Sequence, residues 1–167
     1  MDFLDEIEAT VPALRRYARA LTRNADRADD LVQDCLERAI RKRSLFQPTG
    51  PLQGWLFRIL INLWRNDLRF ERRRGDHIPI DSIAEPSVAP AQPGRIALAE
   101  MSRALDRLPD DQREALLLVV LEGLSYQDAA EVLGIPMGTL MSRIGRARAT
   151  LRALTTGTGE PRLRSIK

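Results

Sequence analysis

"SYQDAAEVLGIPMGTLMSRIGRARATLR", residues 125–152, is the stretch on which the fold turns. Ser125 precedes a short run of helix formers, "YQDAAEVL", and a serine hydroxyl there can accept from the free amides of a first helical turn. Gly134 follows, free to take the left-handed conformation that ends a helix. A longer helical pattern then begins. A helix of about eight residues, a turn containing glycine and a longer second helix form the DNA-binding helix-turn-helix arrangement. Ala129 and Ala130 are small enough to let the two helices cross closely.

The second helix has two unlike faces. Projected at about 100° per residue, Leu140, Ile144, Ala147 and Leu151 fall in one narrow stripe, which must face a core. The opposite face carries Gly138, Ser142, Gly145 and Ala149, all small. Thr139, Arg143 and Arg146 flank this ridge on one side, Met141, Arg148 and Arg152 on the other. A small-residue ridge between arginines can enter a major groove, with the guanidinium groups reaching phosphates or guanine edges. The arginines alone would equally suit a solvated surface helix. The capped short helix and the glycine turn in front of them favour DNA.

Upstream, "LPDD" at 108–111 closes one helix and opens the next, since Pro109 suits a first-turn position. The opened helix carries the apolar run from Ala115 to Leu121 and stops near Gly123. The preceding helix has apolar residues at Ile96, Leu98, Met101, Leu105 and Leu108. From Gly75 to Gly94 the periodicity is lost: "GDHIPIDSIAEPSVAPAQPG" contains Pro79, Pro86, Pro90 and Pro93 and reads as a linker. A structureless stretch that long inside one compact domain is unusual. The chain is therefore expected to be all-α, with two small helical domains joined by a flexible linker. Their bounds are 1–74 and 95–155, with the linker at 75–94 and a basic tail at 156–167.

The first domain shows three helical patterns. Leu4, Ile7, Val11, Leu14, Ala18 and Leu21 repeat at steps of three and four, with Pro12 marking a kink or a break into two helices. A second helix spans about Asp26 to Arg41, with Asp26 as its N-cap. Its apolar set is Ala28, Leu31, Val32, Cys35, Leu36, Ala39 and Ile40. Asp30, Gln33, Asp34 and Glu37 lie off that stripe. This acidic face is either simply solvated or a docking surface for a basic protein, and the residues themselves leave both readings open. A third helix runs from near Leu52 to Arg74 over a core face of Leu56, Ile59, Leu60, Leu63 and Trp64. It also carries Trp55, Phe57, Arg58, Asn62 and five arginines from Arg65 to Arg74. Aromatic rings beside a basic track suit single-stranded nucleic acid, although a tryptophan is more often a core residue.

Composition agrees. The 167 residues are 44% hydrophobic and only 5% aromatic, with a net charge of +3. That supports a helical core and permits a polyanionic partner. One Cys and one His allow neither an internal disulfide nor a Cys/His metal cluster. With no paired-carboxylate signature either, an enzyme is disfavoured; no catalytic residue, metal or cofactor is assigned. The acidic N-terminus has no apolar run behind it, and no segment approaches a membrane span. A cytoplasmic location without membrane insertion is expected.

Together, these segments resemble the extracytoplasmic-function group of RNA polymerase sigma factors. "ADDLVQDCLERAI" is similar to the family's polymerase-binding region 2.2. "GWLFRILINLWRNDLRFERRR" is similar to regions 2.3 and 2.4, which melt and read the −10 element. Residues 108–152 resemble region 4, which reads the −35 element. The resemblance implies that Asp30, Gln33, Asp34 and Glu37 dock on core RNA polymerase. It implies that "SLFQPTGPLQG" is the −10 specificity loop, with Phe46 and Gln47 at a flipped base. Trp55, Arg58, Asn62, Arg65 and Arg69 would then meet melted −10 DNA, and Thr139, Ser142, Arg143, Arg146 and Arg148 the −35 duplex. An anti-sigma factor is the further partner implied, and the free chain is expected to be a monomer. Many members carry a basic residue at the position of Met141 and a larger one at Gly145, so readout here should lean more on phosphates and duplex shape. Two alternatives remain: a decoy that titrates an anti-sigma factor, and a dimeric helix-turn-helix regulator.

Overall fold

The computed structural model describes residues 2–47, 50–75 and 93–156. Among them the secondary structure is helical. Helix α1 spans Phe3–Thr22, α2 Ala25–Arg41, α3 Leu52–Arg74, α4 Pro93–Asp106, α5 Asp110–Val120, α6 Tyr126–Leu133 and α7 Met137–Thr155, with a 3-10 turn at Arg43–Leu45.

Local chemistry sets the helix ends. At the start of α1, Asp2 accepts from the amide of Phe3 at 2.7 Å and donates its own amide to Asp5 at 3.3 Å, a reciprocal cap. Pro12 lies within α1 without dividing it, so the expected alternative of two shorter helices is corrected to one continuous helix. Arg23 then takes a left-handed conformation with φ +56°, which turns the chain sharply into α2. The N-cap of α2 is Asn24, whose side chain accepts from the amide of Arg27 at 3.0 Å. The expected cap, Asp26, instead sits in the first turn, where its charge faces the positive end of the helix dipole. Ser125 caps α6, accepting from the amide of Asp128 at 3.0 Å, and Gly134 closes it at φ +65°. Pro109 stands one residue earlier than expected, as the N-cap of α5.

Helices α1, α2 and α3 pack on one another, as do α4, α5, α6 and α7. The two groups also meet: α1 contacts α5, α3 contacts α6, and one continuous apolar core runs through both. Leu14, Tyr17, Leu56, Phe57, Leu60, Leu118, Leu140 and Ile144 are among its fully enclosed side chains. The core stripe of α7 is as expected, with Leu140, Ile144 and Ala147 buried and Leu151 half-buried. Leu4 and Ile40, by contrast, lie near helix ends and are 50% and 53% exposed. Most of the expected linker lies outside the described residues, although α4 already begins at Pro93. The basic tail beyond Thr156 is also outside them. No helix among the described residues is long and apolar enough to cross a membrane.

Cys35 is fully buried, with its thiol 3.4 Å from the carbonyl of Leu56. Burial pushes this thiol up to about 12. A thiol reagent at pH 8 should therefore label it only as the chain opens. The native rate should be roughly a thousandfold below that of the urea-unfolded chain, where the thiolate is accessible. Equal rates in the two states, read by mass spectrometry, would contradict this packing.

Candidate nucleic-acid and partner interfaces

The outer face of α7 is assembled as its sequence predicts. Gly138, Ser142, Gly145 and Ala149 are all exposed, and a Cβ added at Gly138 or Gly145 would meet nothing within 4 Å. The ridge is thus open along its length. Its flanks are not equivalent. Arg146, Arg148 and Arg152 are exposed and form no ion pair with a described residue. Thr139 and Arg143 are half-buried, and the guanidinium of Arg143 lies 3.5 Å from the Asp111 carboxylate. Arg143 is therefore tied back to α5, while Arg146 and Arg148 point their full charge to solvent.

On α2, Asp30, Gln33, Asp34 and Glu37 are all exposed. Gln33 donates to Glu37 at 3.3 Å, and Glu37 pairs with Arg41 one turn on at 3.3 Å. Asp30 and Asp34 have no ion-pair partner among the described residues. Asp67 of α3 adds to this acidic surface. Its carboxyl is pushed up first by partial burial, which the nearby Arg27 opposes and the Asp34 charge reinforces. The sequence gives no sign of this role for Asp67, because it belongs to a helix dominated by arginine.

The aromatic residues divide into two sets. Trp64 is a core residue, 4% exposed, with the Arg27 guanidinium over its ring at 5.0 Å; Phe57 is fully buried against Tyr17. Neither is free to stack on a base, so the core reading of these rings prevails. Trp55 is half-buried, and its ring lies 5.3 Å from Phe46 and 6.3 Å from Phe3. This cluster joins the start of α1, the segment after the 3-10 turn and the first turns of α3. It fixes the segment where Gln47 is exposed; Pro48 and Thr49 lie outside the described residues.

The basic residues of α3 divide as well. Asn62 and Arg69 are exposed, Arg69 donating to Asn66 at 2.6 Å. Arg58, Arg65 and Arg72 instead reach the C-terminal helices. Arg58 donates to the backbone carbonyl of Glu131. Arg65 grips the Glu114 carboxylate with Nη2 at 2.9 Å and Nε at 3.2 Å. Arg72 pairs with Asp110 at 2.9 Å. Around them, the Tyr17 hydroxyl donates to the Glu114 carbonyl at 3.0 Å, and Arg16 of α1 pairs with Glu122 at 2.7 Å. Burial raises the Glu114 carboxyl, opposed by its hydrogen bond and charge interaction with Arg65. Two of the seven residues expected at −10 DNA, Arg58 and Arg65, are thus engaged within the molecule. Nothing local in "LPDDQRE" marks Asp110 and Glu114 as partners for the α3 arginines, because the Arg65–Glu114 pair alone spans more than forty residues of chain.

Known proteins match both halves. The family described as the Sigma2 domain of PhyR matches residues 7–61, and Sigma-70 region 4 matches residues 98–151. The chain is 47% identical over 150 residues to the ECF RNA polymerase sigma factor EcfG of Rhodopseudomonas palustris, covering 90% of this chain and 83% of that protein. It is 35% identical over 159 residues to the RNA polymerase sigma factor CnrH of Cupriavidus metallidurans, covering 89% and 83%. Among solved structures, the sigma factor RpoE in complex with the anti-sigma factor NepR from Bartonella quintana superposes with a TM-score of 0.77 at 38% identity. That match covers 95% of this chain and 99% of that one. The acidic helix and the helix-turn-helix fall on the matched regions, α3 enters the first of them only as far as residue 61, and the chain belongs to the extracytoplasmic-function sigma factors of RNA polymerase.

Proposed function

We propose that this chain binds core RNA polymerase and directs promoter-specific initiation, with residues 1–74 at the −10 element and 95–155 at the −35 element. In this reading 75–94 is the linker and 156–167 a basic tail. The observation that carries it is the outer face of α7, a ridge of Gly138, Ser142, Gly145 and Ala149 beside uncompensated arginines. The ridge lies against the major groove, Ser142, Arg146 and Arg148 meet the −35 duplex, and Thr139 and Arg143 support them from the inner flank. Asp30, Gln33, Asp34 and Glu37 dock on the polymerase. Phe46, Gln47 and Trp55 form the −10 loop and its aromatic support, and Arg58, Asn62, Arg65 and Arg69 follow the melted strand. The protein is not an enzyme, acts in the cytoplasm and is a monomer when free. An anti-sigma factor is its inhibitory partner, by likeness to the NepR-bound relative.

A second reading, a decoy that only titrates an anti-sigma factor, is favoured by the match of residues 7–61 to the Sigma2 domain of PhyR, because a PhyR chain 25% identical to this one was solved in complex with NepR. Transcription in vitro with purified core polymerase and genomic DNA separates the two. Starts mapping to a shared pair of promoter elements, absent without the chain, are expected. If the chain adds no specific starts yet binds an anti-sigma protein, the decoy reading replaces the first. A stable dimer in equilibrium sedimentation would favour the dimeric regulator instead.

A further inference from the structure

Among the described residues, the polar contacts between the N-terminal and C-terminal helices run one way. Arg16, Tyr17, Arg23, Arg58, Arg65 and Arg72 supply the donors; carboxylates or carbonyls of Asp106, Asp110, Glu114, Glu122 and Glu131 accept. Three of the donors, Arg58, Arg65 and Arg72, stand seven residues apart on α3. Two helical turns separate each from the next, so they form a single row along the helix. The C-terminal helices thus present oxygen acceptors to α3 in the place where a nucleic-acid strand would present phosphates.

We infer that α5 and α6 act as an intramolecular stand-in for the nucleic-acid backbone, an electrostatic clasp whose acceptors neutralise the Arg58–Arg65–Arg72 row, with Arg58 and Arg72 still exposed, until core polymerase or a polyanion displaces them. This rests on the reading of α3 as the strand-contacting helix. The clasp is built to release. Glu114 is 3% exposed, and its neighbour Arg113, at 2%, pairs through Nη2 with Asp110 at 2.7 Å, the same carboxylate that accepts from Arg72. Ion pairs removed from water return little net free energy, because desolvation offsets the attraction. Opening hydrates Glu114 and frees the arginine row in one movement.

The test uses the full chain without polymerase, dye-labelled through Glu8→Cys and Ala153→Cys, both exposed positions, with fluorescently labelled oligo(dT) as the nucleic-acid probe. In Asp110→Asn/Glu114→Gln, energy transfer between the dyes should fall. Affinity for oligo(dT) should rise about tenfold, the gain expected when an open fraction near one-tenth becomes dominant. Arg65→Glu alone should also open the chain, and Arg65→Glu/Glu114→Arg should close it again, which separates a broken clasp from a damaged fold. Unchanged energy transfer in the neutralised variant would show that these charges do not hold the halves together and would overturn the inference. Opening without a gain in affinity would show that the acceptors do not compete with nucleic acid for the row and would overturn the inference. The reading of α3 itself is checked by adding Arg69→Ala to the opened variant: if oligo(dT) binding then stays the same, α3 is not the strand-contacting helix.

Discussion

A chain in which Asp30 and Asp34 are both replaced by Arg should fail to assemble with core RNA polymerase while keeping its fold. The two carboxylates are exposed and have no ion-pair partner among the described residues, so reversing them breaks no internal ion pair. It also removes a repulsion, since Asp34 is one of the charges that push the Asp67 carboxyl up. Stability should stay within about 0.5 kcal/mol of the parent, the range typical of surface substitutions. Binding is another matter. Truncating one member of a desolvated interfacial charge pair costs about 2–5 kcal/mol, and reversal adds repulsion to that loss. A weakening of about a hundredfold or more is expected. Titration of labelled core polymerase checks the affinity, and thermal unfolding followed by circular dichroism checks the fold. Normal assembly by a folded variant would remove α2 as the docking face.

How much of this can be read from the chain depends on the range of the interaction concerned. The helix-turn-helix is legible because its determinants are local: Ser125 and Gly134 act within a few residues of themselves, and the faces of α7 follow from helical geometry. The start of α2 is misplaced by sequence alone because Asp26 and Asn24 are equally capable caps. The left-handed turn at Arg23 chooses between them, and an arginine carries no signal for that conformation. Trp64 is ambiguous in sequence because an aromatic beside arginines suits either a core or a strand-binding surface. The packing of α2 over α3, with Arg27 on the ring, decides for the core. The clasp is the least legible. The seven-residue spacing of Arg58, Arg65 and Arg72 is visible in the sequence, but Asp110 and Glu114 read as an ordinary acidic helix start. Asp110 does serve that role, in the first turn of α5 beside Asp111. The second role, as acceptors for α3, exists only once two distant helices meet.

The same distinction between free and engaged charge shapes the expected effect of arginine replacements on α7. By spacing, Arg146 and Arg143 are equal candidates for the −35 duplex. In the structure Arg143 is half-buried and 3.5 Å from Asp111, whereas Arg146 is exposed and uncompensated. A phosphate must compete with Asp111 for Arg143 but can take Arg146 outright. Replacing both by Ala should therefore weaken binding to a −35 duplex, with the larger share coming from Arg146. For every phosphate left without its cation, the slope of log affinity against log salt should fall by roughly one unit. The duplex to use is one taken from a promoter whose start has been mapped with this factor, and the holoenzyme is titrated at several salt concentrations. A slope reduced by about one unit in Arg146→Ala, and by less in Arg143→Ala, is the expected pattern. If Arg143→Ala costs as much as Arg146→Ala, Asp111 releases its partner on binding. If neither changes the affinity or the slope, α7 does not lie on the duplex, because a helix in the groove cannot give up an exposed, uncompensated cation without a change in counterion release.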